Sequence, residues 1–223
     1  MRTVVVTGGK RGIGAVIAAA FAGDRVIPLS SADLDVTDEA AVDAFFKDRE
    51  VDVLVNNAGV ASSAPVKRTT LADWERTLAV NATGAFLCTR AVLPAMLERG
   101  TGRIVTVASV ASHHGSRYTA AYTASKHAVL GFMRAVAAEV AGTGVTANCV
   151  CPAYVRSDMT DATIATIESR TGRDGEAALA GMAPLARLVE PEEVAFAVTF
   201  FADPRAGAIN GQSLIMDGGG IQQ

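Results

Sequence analysis

The stretch "TVVVTGGKRGIG" (residues 3–14) decides how this 223-residue chain folds. Its opening, "TVVVTG" (3–8), is a β-branched run without polar alternation, which is the pattern of a strand buried on both faces. Gly8, Gly12 and Gly14 follow, where glycines allow a tight turn and a close approach of backbone to ligand. The next segment, "IGAVIAAAFAG" (13–23), is a helical pattern ended by Gly23. Its N-terminus would turn N–H groups and the positive end of its dipole toward an anion. Strand, glycine turn and helix in that order predict a dinucleotide-binding unit, with Gly8, Lys10, Arg11, Gly12, Ile13 and Gly14 around the phosphates. A P-loop would carry Lys directly after the last glycine; Ala15 stands there.

Outward from this unit the same alternation continues. Strand patterns occur at 25–30, 51–59, 102–109, 145–152 and 212–219, and helical ones at 38–48, 70–100, 119–142 and 191–203. Thr70 and Gly100 read as the cap and stop of one long helix, and Pro191 as a first helical residue. Continuous apolar strands separated by helices predict an α/β fold: a doubly wound, Rossmann-type parallel sheet with helices on both faces, in one domain over 1–223. Ligands of such sheets lie beyond the carboxyl ends of the strands. Residues 153–190 are polar and less regular, and read as a mobile lid over the substrate.

The net charge of −3 gives no basic face for nucleic acid or an anionic membrane. The glycine loop begins within eight residues of the start, leaving no room for a secretory segment, and no apolar run reads as long enough to span a bilayer. Cys88, Cys149 and Cys151 read as core thiols; no metal site and a cytoplasmic location are expected. Trp74 reads as helix packing, and Phe196, Phe200 and Phe201 as core.

The chemistry concentrates in "YTASK" (122–126). Tyr122 and Lys126 are four apart on a helix and so share a face. A free phenol titrates near pH ~10, and a neighbouring ammonium would bring that value toward neutrality. Ser109 ends a strand, where its hydroxyl would hold a carbonyl while Tyr122 gives it a proton. At the end of the second strand stand Ser30 and Ser31 with no acid, and Lys10 and Arg11 lie in the loop beside them. That favours a 2′-phosphate, hence NADP(H), with NAD(H) the alternative.

These segments, with "DVTD" (35–38), "NNAG" (56–59), Asn81 in "LAVNATGAF", "CPAYVRSDM" (151–159) and the tail "PLARLVEPEEVA", resemble the short-chain dehydrogenase/reductase family over nearly the whole chain. The likeness is greatest to its 3-oxoacyl-[acyl-carrier-protein] reductase branch. The resemblance implies an oxidoreductase interconverting a carbonyl and a secondary alcohol, with Asn81, Ser109, Tyr122 and Lys126 as the catalytic set. It implies that Asp35 and Val36 meet the adenine, that Asn57, Ala58 and Gly59 pass the ribose, and that Pro152, Val155 and Ser157 hold the nicotinamide end. Ala153 stands where the family has Gly, which is expected to tighten the pocket. His113, Tyr118, Ala153 and Tyr154 are expected to border a small substrate, including a carrier-bound acyl group. A homodimer or homotetramer through 70–100 and 119–142 is implied as well. An NAD-linked alcohol or diol dehydrogenase and a non-catalytic nucleotide sensor are the competing readings.

One departure stands out at "LSSADLDVTD". The family inserts a helix between its second and third strands, whereas about three residues separate Ser30 from "DLDV" here. Since a parallel crossover needs a dozen residues or so, either the third strand is reduced to an extended segment or the sheet edge is rearranged.

Overall fold

The computed structural model describes residues 1–222. Its six strands are β1 (Thr3–Thr7), β2 (Arg25–Leu29), β3 (Val53–Asn56), β4 (Gly102–Val107), β5 (Val145–Pro152) and β6 (Ser213–Met216). They form one all-parallel sheet in the order β2-β1-β3-β4-β5-β6. The helices are α1 (Gly12–Ala20), α2 (Glu39–Phe46), α3 (Leu71–Leu78), α4 (Gly84–Arg99), α5 (Ala120–Glu139), α6 (Asp158–Thr171), α7 (Gly175–Ala180) and α8 (Pro191–Ala202). Side-chain alternation in the strands builds two cores. Val5, Leu54 and Ile104 face α2, α4 and α5, while Val4, Val6, Val53 and Val55 face α1 and α8. Each of these valines and leucines is fully buried and contributes about 1.5–3 kcal/mol. Cys88, Cys149 and Cys151 are buried free thiols.

The short connection after β2 has a simple outcome: "DLDV" is not a strand. Residues 30–34 turn back, with the N–H groups of Asp33 and Leu34 donating to the Ser30 carbonyl, and Leu34 and Val36 drop into the core beside α2. The sheet therefore ends at β2, and α2 serves as the crossover to β3. The free edge is blunted by its own sequence. Arg25 N–H and Leu29 C=O bond toward β1, so by alternation Pro28 faces outward, where its missing N–H denies a further strand a ladder bond.

Four other expectations are corrected. The stretch 70–100 is helical throughout, with Thr70 capping Asp73 N–H and Gly100 closing it in the left-handed conformation, but a π-helical turn at Ala79–Thr83 interrupts it. The 29-residue run Leu71–Arg99 is also long and apolar enough, by length and composition, to cross a membrane. Here it is a core helix whose Leu87, Cys88, Val92 and Met96 are buried in the core built on the sheet. The segment 153–190 is not irregular: α6 and α7 occupy most of it, and Ser157 caps α6 through Thr160 N–H. On α8, Phe201 is 3% exposed but Phe196 is 75% and Phe200 46% exposed, lining an open groove with Leu214 and Met216.

Ala186, in the loop before α8, has φ 54°, a left-handed conformation in which a Cβ is strained. Ala186→Gly is expected to stabilise the chain by about 0.5–1 kcal/mol, read as a higher urea midpoint at unchanged slope. An unchanged or lower midpoint would show that the loop carries no such strain.

Candidate functional site

Because all six strands run the same way, the segments after β1, β2, β3, β4 and β5 meet at one edge of the sheet. The glycine loop is held from below. Thr7 Oγ1 accepts the N–H groups of Asn57 and Ala58, each at 3.1 Å, and Asn57 Nδ2 donates to the carbonyls of Thr7 and Gly8 at 3.0 and 3.1 Å. Gly8 adopts φ 64°, and a Cβ at Gly14 would lie 2.1 Å from the Gly8 oxygen. No side chain caps the start of α1, so its first N–H groups face the loop mouth. This cradle fits a pyrophosphate. Thr7 is a supporting residue that the sequence pattern hides, since a Thr ending a buried strand looks like any β-former.

At the end of β2 there is an acid after all. Asp33, carried back by the turn, accepts from Ser30 N–H at 2.8 Å and from the Ser30 hydroxyl, and pairs with Lys10 Nζ at 2.7 Å. The Lys10 ammonium, then Ser30, hold its carboxyl well below the usual carboxylate range. Ser31 is exposed beside this clasp. Among the described residues no carboxylate pairs with the exposed Arg11. Asp35 closes a local turn on Thr37 N–H and hydroxyl, at 2.9 and 2.7 Å, and these bonds lower its pKa.

The far half of the site is built on β4, β5 and α5. Ser109 Oγ accepts Ala111 N–H at 3.1 Å, leaving its hydroxyl hydrogen to donate toward the Tyr122 phenol, whose ionised form it favours. Lys126, 6% exposed, donates to the Val107 carbonyl at 2.9 Å, and its Nζ lies 5.6 Å from the Tyr122 ring centroid. The π-helical turn brings Asn81 inward: its amide donates to the Val60 carbonyl and Ser125 Oγ, and accepts from Val60 N–H at 2.8 Å. Ser125, fully buried, also donates to the Tyr122 carbonyl, tying α5 to that turn. The motif "YTASK" contains Ser125 but does not mark this role, and it gives no sign of Cys151, which acts electrostatically on both Tyr122 and Lys126.

The electrostatics differ from the expectation that Lys126 lowers the phenol's pKa. Burial pushes the Tyr122 phenol above its ordinary value, and the Ser109 bond only partly opposes this. Burial also pulls the Lys126 ammonium down to about 8. The physical reason is that desolvation disfavours the charged form of both groups, while the lysine is turned onto a carbonyl rather than onto the phenol oxygen.

Of the remaining residues, Tyr154 is half-buried, with its phenol raised by burial and then by Tyr122. His113 is half-buried after β4, its pKa lowered by burial and by Arg134, His127 and His114. Tyr118 is 53% exposed at φ 69°. Val155 is buried and bridges to Val189 under α6. Ala153 does not have positive φ, and its N–H bonds the Met216 carbonyl at 3.0 Å. Its methyl thus replaces the family's glycine without backbone strain.

A family profile described as Enoyl-(Acyl carrier protein) reductase matches residues 17–220. The chain belongs to the short-chain dehydrogenase/reductase family. It is 39% identical to a 3-oxoacyl-[acyl-carrier-protein] reductase of Synechocystis sp., over 84% of this chain and 72% of that one. It is 35% identical to the 3-oxoacyl-[acyl-carrier-protein] reductase FabG of Vibrio cholerae, over 98% of this chain and 96% of that one. Actinorhodin polyketide ketoreductase, solved with NADPH, superposes with a TM-score of 0.90 at 31% identity, over 98% and 96% of the two chains. The Vibrio alignment runs over 243 residues against 223 here, so at least 20 positions have no counterpart in this chain. As a member of this short-chain dehydrogenase/reductase family, the protein is an oxidoreductase acting on CH–OH or carbonyl groups with NAD(P).

Proposed function

We propose that the protein is an NADP(H)-dependent carbonyl reductase in which Tyr122 is the proton donor. The observation that carries this reading is the Ser109 hydroxyl set against the half-buried Tyr122, with Lys126 alongside. Gly8, Gly12, Ile13, Gly14 and the start of α1 would hold the dinucleotide phosphates, Asn57, Ala58 and Gly59 its ribose side, and Pro152, Val155 and Ser157 its nicotinamide end. The bound cofactor supplies the hydride. Ser109 holds the substrate oxygen, and Tyr122 gives that oxygen its proton. A phenol whose pKa is raised by desolvation stays protonated at neutral pH, which suits a donor and so the reductive direction. Lys126, backed by Asn81, stands ready to stabilise the phenolate left behind. His113, Tyr118, Ala153 and Tyr154 border the substrate. Similarity to 3-oxoacyl reductases supports a 3-oxoacyl thioester as the first substrate to try. Exposed Phe86 on α4 and half-buried Phe132 on α5, with ring centroids 5.7 Å apart, offer the apolar face for a homodimer.

The test is NADPH consumption with a 3-oxoacyl thioester and with a panel of small ketones. Turnover of none of them would overturn the reading.

A specific feature favours the NAD(H) alternative: the Asp33 carboxylate at the end of β2 would repel a 2′-phosphate and occupies Lys10. Under the NADP(H) reading, Arg11 receives the phosphate and Asp33 only weakens it. Asp33→Asn is then expected to free Lys10 and tighten NADPH binding about tenfold, with NADH little changed. Loss of NADH binding with no gain for NADPH would instead assign the site to NAD(H).

A further inference from the structure

Residues 53–72 and 99–138 hold none of the chain's 23 acidic residues, although the net charge is −3. The fold sets these two stretches side by side. Asn81 clasps Val60 by its N–H and C=O. From there the loop runs to Ala64, whose N–H donates to the Tyr118 carbonyl at 2.8 Å and which bridges to Thr119. The short helical turn Val66–Arg68 follows on one side of that bridge, and Arg117 stands on the other. The Arg117 guanidinium lies 5.9 Å from the centroid of the exposed Tyr118 ring. Thr119 is the N-cap of α5, with Tyr122 in the first turn beyond it. Lys67, Arg68 and Arg117, all exposed, therefore stand at the rim of the site on the Tyr122 side.

Many cations elsewhere on this surface are neutralised: Lys10, Arg90, Arg156, Arg187 and Arg205 each pair with a carboxylate at 2.7–2.9 Å. Among the described residues Lys67, Arg68 and Arg117 pair with none. Arg103 and Lys126, in the same two stretches, are instead turned onto backbone carbonyls. Like charges gathered without a counter-ion repel one another, and an arriving anion both relieves that repulsion and is attracted. A thioester substrate brings such an anion. Its pantetheine arm is long and extended and ends in a phosphate, so a carbonyl seated at Ser109 and Tyr122 leaves the phosphate at the surface. We propose that Lys67, Arg68 and Arg117 form an anion-binding rim that holds the phosphate on the pantetheine arm, the group common to CoA esters and carrier-bound acyl chains. The two guanidinium groups suit a forked grip on phosphate oxygens, and the lysine adds a point charge. The assignment rests on the thioester reading above.

NADPH consumption is measured with the acetoacetyl thioesters of pantetheine, of 4′-phosphopantetheine and of CoA. The first two differ by a single phosphate. With the unaltered protein at low salt, kcat/KM is expected to be about tenfold higher for the 4′-phosphopantetheine ester than for the pantetheine ester. The gap should close as ionic strength rises toward about 1 M, because all three side chains are exposed and screened by salt. In the triple variant Lys67→Gln, Arg68→Gln, Arg117→Gln the gap is expected to vanish through a higher KM for the phosphorylated ester, with kcat kept. A lost fold would lower turnover of both esters alike. A further gain with the CoA ester assigns the arm to free CoA, and no further gain assigns it to a carrier; either result upholds the rim. Equal kcat/KM for the two pantetheine esters, or a gap that survives in the triple variant, overturns the proposal and leaves the reductase reading intact. Turnover of none of the three overturns the thioester reading, and the rim falls with it.

Discussion

Tyr122→Phe is expected to lower kcat for ketone reduction by about 10²–10⁴-fold while NADPH affinity and melting temperature stay near those of the parent. The substitution removes one oxygen from a half-buried ring and leaves its packing in place. The Ser109 hydroxyl would keep its bond from Ala111 N–H, so the strand end should not move. The same reading sets the pH dependence. A donor must carry its proton, and burial holds the Tyr122 phenol above its ordinary value. The reductive rate should therefore be flat through neutral pH. It should decline at alkaline pH, first as the Lys126 charge fades above about 8 and then as the phenol ionises. Steady-state kinetics of the two proteins across pH decide the matter. A Phe variant with parental kcat, or a rate that rises steeply with pH in the reductive direction, would remove Tyr122 from the role of donor.

Gly14→Ala should act at the opposite end of the site. The added Cβ would stand 2.1 Å from the Gly8 oxygen and 2.5 Å from Asn57 Nδ2. The first of these is backbone, and the second is already bonded to the Thr7 and Gly8 carbonyls, so neither yields cheaply. Relief of this overlap must displace the loop or the start of α1, at about 1–3 kcal/mol. NADPH affinity should fall roughly 10- to 100-fold or more, with a lower melting temperature. Gly131→Ala provides the control. It lies in α5 with nothing within 4 Å of the added Cβ, so it should be neutral or stabilising by up to about 1 kcal/mol. Nicotinamide fluorescence titrations of both variants check the pair, and equal NADPH affinities would show that the close approach at Gly14 is not what shapes the phosphate cradle.

What the chain makes legible in one dimension is what depends on neighbours in sequence. The valine run of β1, the glycines after it and the helix beyond are local patterns, and so is the four-residue spacing that puts Tyr122 and Lys126 on one face of α5. Capping by Thr70 and Ser157 is local in the same sense, although the second was read as a cofactor contact rather than as the start of α6. The departure after β2 could be seen as a shortage of residues.

Tertiary structure decided the rest, because the deciding partners are distant in sequence or depend on what covers a group. Asp33 reaches Ser30 and Lys10 only once the turn at 30–34 closes beside the glycine loop, so the end of β2 looked free of acid. Helix α8 is apolar almost all round, and Phe196 and Phe200 face outward because Val194, Ala195, Val198 and Phe201 are the residues turned to the core. Asn81 enters the site because a π-helical turn rotates it toward Val60 and Ser125. The phenol's raised pKa follows from desolvation, and desolvation belongs to the packed molecule: sequence names the ionisable groups, and only the fold settles how much water each one keeps.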